Sequence, residues 1–174
     1  LDFLANHIDG LLGLNGWEKA LVTFLAIQVS MAAVTLYLHR DQAHRAIDLH
    51  PAIRHFFRLW IWMTSGMVTR EWVAVHRKHH AFCETKDDPH SPVVHGLRTI
   101  LWRGAEVYQV ETANPATIEK YSRGTPDDWL EHHLYRHGLI GVYTTLAIDV
   151  LLFGAGGITM FAFQMLAMPF SPPA

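Results

Sequence analysis

The chain has 174 residues, enough for one domain and too few to suggest two. Its 14 Lys and Arg against 16 Asp and Glu leave it close to neutral, which gives no electrostatic footprint for a nucleic-acid partner. A lone cysteine, Cys83, excludes a disulfide framework and any site built on several thiolates, whereas 13 histidines are far more than a core needs. The hydrophobic half of the residues falls in blocks, the mark of a membrane protein with a polar cap.

No basic stretch with a small-residue cleavage site precedes the first apolar block, so a secretory signal is not expected. Residues 1–19 are short apolar pieces broken by Gly10, Gly13 and Gly16, with Trp17 as an interfacial aromatic. Residues 20–38 carry no charge and approach the roughly 20 residues a helix needs to cross the hydrocarbon core; they are predicted to be a transmembrane helix. Beyond it Arg40, Arg45, Arg54, Arg58, Arg70, Arg77 and Lys78 outnumber Asp41, Asp48 and Glu71, so this side is expected to face the cytoplasm. Residues 52–68 are apolar but interrupted by Arg58, which fits an interfacial helix with aromatics in lipid and arginines at the headgroups. Residues 76–137 are predicted to form a cytosolic cap of short helices. Within it Thr125-Pro126-Asp127-Asp128 reads as a helix start, followed by His132, His133 and His137 on a polar amphipathic helix. Residues 139–170 hold two apolar segments joined by Gly154-Ala155-Gly156-Gly157, read as a membrane hairpin. The expected fold class is all-α: a helical membrane protein with a cytosolic helical cap.

The chemistry lies in two histidine clusters. On a helix, His76, His79 and His80 stand at i, i+3 and i+4 and leave one face together, and imidazole is the commonest protein metal ligand. His39 and His44 are five apart, about 140° around an ideal helix, so they converge only if the helix ends or loosens near Arg40. A set of five nitrogens with open positions suits iron that must bind dioxygen better than a closed zinc site. The Glu-x-x-His pairs of carboxylate di-iron bundles, the His-Glu-x-x-His of zinc proteases, nucleophile elbows and phosphate or dinucleotide loops are all missing from the sequence. No residue stands out as a nucleophile or general acid. Redox chemistry here needs electrons from a partner.

The segment HRDQAHR from His39 resembles the first histidine box, and HRKHHAFCETKDDPHSP from His76 the second, of the membrane fatty-acid desaturases. Asp88-Pro89-His90 narrows the likeness to the acyl-CoA delta-9 group and its bacterial relatives, and the resemblance, which runs from about Ala20 to the end, also accounts for Glu71-Trp72. The resemblance implies oxygen-dependent introduction of a cis double bond into a fatty acyl chain by a di-iron centre. It further implies His39, His44, His76, His79 and His80 as metal ligands and two irons in a complete enzyme. The substrate would be an acyl-CoA, an acyl-carrier-protein ester or a phospholipid. Electrons would come from a ferredoxin, a rubredoxin or a b-type cytochrome, and the enzyme would sit in membrane lipid, in a bacterial inner membrane. The family's third H-x-x-H-H box is not in these 174 residues, and five ligands cannot fill two irons. The chain is therefore expected to be the N-terminal part of a desaturase, inactive alone, with the missing ligands beyond Ala174. The rival readings are a histidine-box hydroxylase of alkanes, sterols or carotenoids, and a truncated non-catalytic metal-binding membrane protein.

Overall fold

The structure, a computed structural model, describes residues 9–167. The first pieces of the N-terminal stretch and the last residues of the expected 139–170 segment lie outside that range. Every regular element among the described residues is helical, as the sequence leads one to expect.

Helix α1, Gly16–Ala32, opens with a reciprocal capping box in which the Asn15 side chain accepts from the Glu18 N–H and the Glu18 carboxylate from the Asn15 N–H. It passes without a break into a π-helix, Ala33–Ala43. The continuous helix Gly16–Ala43 is long and apolar enough to cross a membrane. Helix α2, Pro51–Ser65, begins with proline at its first position and stops at Gly66, whose φ of 68° is the left-handed conformation that glycine adopts without strain. Its Ile61 joins Ala33, Val34, Tyr37 and Leu38 of the π-helix in the core, with Phe57, Trp60 and Trp72 packed around them.

Two further apolar helices, α7, Gly138–Phe153, and α8, Ala155–Ala167, fold back on each other around Gly154. Helix α7 lies against α2 so closely that a Cβ on Gly141 would meet the Trp62 carbonyl oxygen at 2.2 Å, and Thr145 donates its hydroxyl to the Met63 carbonyl at 2.8 Å. Helix α8 packs against α7 and α1. Trp17, Phe24, Tyr143, Leu151 and Phe163 point outward from this layer, exposed and apolar.

The remaining helices stack over the end of that layer. Helix α3, Thr69–Phe82, packs on the π-helix and on α6, Pro115–Tyr121; the single turn α4, Pro92–His95, and helix α5, Leu97–Thr112, complete the group. Lys78 ties α3 to α5 through the Glu111 carboxylate at 2.8 Å, and the Thr117 hydroxyl on α6 donates to the same carboxylate.

Two expectations change. Arg58, expected at lipid headgroups, is 5% exposed and donates to Asp128 at 2.6 and 3.0 Å and to Glu131 at 2.7 Å, with its guanidinium 4.3 Å from the Tyr135 ring centre. Acids supplied from 70 residues downstream make that burial tolerable. The helix expected to start at Thr125 starts at Trp129 instead: the Asp128 side chain accepts from the Glu131 N–H at 2.8 Å and does the capping. It runs into a short π-turn, Glu131–Tyr135, and ends before His137.

Candidate metal centre

The π-helix settles how two histidines five residues apart share a site. Its hydrogen bonds run from residue i to i+5, as in His44 N–H to the His39 carbonyl at 3.0 Å, so the widened turn brings residues five apart almost into line. The chain then turns out at Arg45, a non-glycine residue at φ 53°. Asp41 fixes this exit. Its buried carboxylate receives two guanidinium bonds from Arg54, at 2.8 and 2.9 Å, and the Leu49 N–H at 3.1 Å.

On α3, His76 and His80 are one turn apart on the face turned to the π-helix. Their rings meet those of His39 and His44 edge to face. The centres are 4.5 Å apart for His39 and His44, 4.9 Å for His39 and His76, 4.7 Å for His44 and His80, and 4.6 Å for His76 and His80. One ligand nitrogen from each of the four lies within 4.8 Å of all the others. The His76 Nε2 stands 3.1 Å from that of His80 and 3.3 Å from that of His44. Neighbouring nitrogens around an ion bound at about 2.1 Å stand roughly 3.0–3.4 Å apart, so the pocket has the size of one transition-metal site. Nδ1 of His39 is buried without a hydrogen-bond partner, and a bound cation would give that ring the partner it lacks. The residues fit the metal that the histidine boxes imply.

Electrostatics point the same way. Burial, then the neighbouring imidazoles of His80, His39 and His44, push His76 down to about 3, and burial with His44 and His79 lowers His80 as well. Both are neutral at physiological pH, the form that binds metal. Trp72, four residues before His76, stacks on its ring at 4.5 Å between centres and 14° between planes, fixing its orientation.

His79 stands apart from these four. Its Nδ1 lies 2.7 Å from Oδ1 of the fully buried Asp88. Burial raises Asp88, but the His79 bond and the His90 and Glu84 N–H groups outweigh it and hold the carboxyl below its usual range. A carboxylate on one ring nitrogen is the usual way a ligand histidine is oriented, and it leaves Nε2 of His79 available. Cys83 lies close enough to complete a second set with His79 and Asp88.

Of the five predicted ligands, four share one group and His79 stands in a separate one with Cys83 and Asp88. His132 pairs with Asp127 at 2.8 Å, and His133 stacks on Trp129; neither joins a metal-sized group among the described residues. Two contributors escaped the sequence reading. Trp72 had a usable signal in its i−4 spacing to His76, whereas Asp88 stood out only as part of the Asp88-Pro89-His90 motif, with nothing in its spacing to pair it with His79.

Comparison with known proteins gives distant acyl-lipid desaturases. The chain is 28% identical over 151 residues to the delta-9 acyl-lipid desaturase 1 of Arabidopsis thaliana, an alignment covering 86% of this chain and 47% of that protein. It is 25% identical over 142 residues to the sn-1 stearoyl-lipid 9-desaturase of Synechocystis sp., covering 81% and 42%. Over 78 residues it is 33% identical to the chloroplastic palmitoyl-monogalactosyldiacylglycerol delta-7 desaturase of Arabidopsis thaliana, covering 44% and 21%. The chain thus spans about half the length, or less, of these curated relatives. No protein-family model matches it, and no solved structure does.

Proposed function

We propose that this chain carries the first two histidine boxes of a membrane acyl desaturase of bacterial type, which introduces a cis double bond into a fatty acyl chain. One observation carries the reading above the rest: four imidazoles, in two pairs that are 32 residues apart at their nearest, converge on one metal-sized pocket with no carboxylate among them. The desaturase names of the distant relatives support it. His39, His44, His76 and His80 would hold one iron, and His79, oriented by Asp88, would contribute to a second whose other ligands would come from sequence outside these residues. Five imidazoles are too few for two irons, and the relatives are about twice as long.

Iron bound in this pocket supplies activation of dioxygen for removing two hydrogens from an unactivated acyl chain. The protein's own residues prepare that chemistry. His76 and His80 stay neutral and present lone pairs; Trp72 covers one face of His76 and keeps water off it; Asp88 holds the Nδ1 proton of His79. The apolar outer faces of α1, α7 and α8 contact lipid, and the α3–α6 group forms the cytoplasmic cap over the membrane end. The substrate is a fatty acyl thioester or lipid, and electrons come from a soluble or membrane redox partner such as a ferredoxin, rubredoxin or b-type cytochrome.

The test is expression of this sequence with whatever follows Ala174 in its reading frame, followed by analysis of membrane acyl chains. A new double bond is expected, lost in His79→Ala and largely retained in His137→Ala. Hydroxylated chains would move the reading to a hydroxylase; equal loss in both variants refutes the ligand assignment.

A further inference from the structure

Arg77 sits between two of the proposed ligands in sequence, yet its guanidinium donates only to main-chain carbonyls. Nε reaches the Ala43 oxygen at 3.0 Å and Nη2 that of Gln42 at 2.8 Å; Nη1 reaches Tyr121 at 3.0 Å and Arg123 at 2.8 Å. No carboxylate pairs with it among the described residues. Four of a guanidinium's five N–H directions are therefore occupied by neutral acceptors from two separate segments.

The acceptors are informative. Gln42 and Ala43 are the last two residues of the π-helix, whose terminal carbonyls have no partner within the helix and carry its negative dipole end. They immediately precede His44. Tyr121 and Arg123 bound the turn that leaves α6. Arg77 itself follows His76 and precedes His80 by three residues on α3. One planar side chain therefore sets the helix end bearing His44 against the helix bearing His76 and His80, and fastens both to a turn that supplies no imidazole. Among the described residues Lys78 joins α3 only to α5 and α6 and makes no bond to the π-helix. Apart from the approach of the His44 and His76 ring nitrogens themselves, no other polar bond ties the two boxes at this end among the described residues.

We propose that Arg77 is the positioning residue of the metal pocket: it holds His44 in register with His76 and His80 and couples metal binding to the 121–123 turn. The proposal rests on the reading of the four imidazoles as a metal site. Lysine in its place has a point charge on a flexible stem and cannot bond two segments through one rigid fork.

The test uses the chain purified in lipid nanodiscs, with Co²⁺ as probe and its visible absorption as the readout of coordination. Arg77→Lys and Arg77→Gln are expected to keep the helical circular dichroism of the metal-free protein, to weaken Co²⁺ binding about tenfold or more, and to alter the band shape. Arg45→Gln, a neighbouring arginine without these bonds, is expected to change neither. Unchanged affinity and band shape in both Arg77 variants overturns the proposal while leaving the metal site standing. No imidazole-type band in the unsubstituted chain removes the metal reading itself, and the proposal with it. Should the variants not fold, hydrogen exchange on the unsubstituted chain decides: Co²⁺ is expected to slow exchange at the Ser122 and Thr125 amides, and no slowing there overturns the coupling.

Discussion

Replacing Arg58 by methionine removes the centre of a buried ion network and gives a magnitude to check. Arg58 and Glu131 have side chains 6% exposed each, whereas Asp128 is 52% exposed. Without the guanidinium, Asp128 recovers water and loses little, as for any half-exposed pair. Glu131 has no such recourse. It stays in place with an uncompensated charge, a situation that costs about 3–5 kcal/mol in buried pairs. The loss of the Tyr135 contact, with the guanidinium 4.3 Å from the ring centre, adds to that. Since methionine preserves most of the volume and Glu131→Leu removes the stranded charge, the double substitution is expected to regain most of the loss. The assay is denaturant unfolding of the metal-free chain in mild detergent, followed by circular dichroism, across the four members of the cycle. An Arg58→Met variant within about 1 kcal/mol of the unsubstituted chain, or a double variant no better than the single, refutes the placement of this pair in the interior.

Asp88→Asn in the extended protein is expected to lower iron retention at the His79 position about 10–100-fold, with the exposed neighbour Asp87→Asn as the silent control; equal retention in both, measured as iron per chain after dialysis, removes the orienting role of Asp88. The metal-free protein is expected to lose stability as pH falls. His76 is held near 3 in the fold, while the unfolded chain takes up that proton near 6.5, so the unfolded state binds more protons in between. His76→Gln is expected to flatten the slope of unfolding free energy between about pH 6 and 4. An identical slope contradicts the half-buried, neutral imidazole.

The all-helical class was legible because the apolar blocks have helical length and no alternating pattern. The face shared by His76 and His80 followed from one turn of spacing. The approach of His39 to His44 was readable only as a condition, that the helix loosen near Arg40. Nothing local announces a π-helix there, since neither glycine nor proline occurs in Ala33–Ala43. What sustains it lies elsewhere: Asp41 held by Arg54, and the last carbonyls held by Arg77 from α3. The division between His79 and the other four was hidden for a similar reason. Three histidines on one helical face look equivalent until Asp88, nine residues on, takes the Nδ1 of one. Arg58 was misplaced because an arginine in an aromatic run reads as interfacial until its distant acids are known. The Thr125-Pro126 start failed to a better cap three residues later, Asp128, which the Arg58 network holds in position.

The central claim is that His39, His44, His76 and His80 form one metal pocket. X-ray absorption at the metal edge, on the chain loaded anaerobically with Fe²⁺ and then dialysed, tests it most directly. One tightly retained ion is expected, with a nitrogen shell at about 2.1 Å and the outer scattering of several imidazoles, both lost together in His44→Ala and in His80→Ala. An oxygen-dominated shell, or retention that survives either substitution, would contradict it.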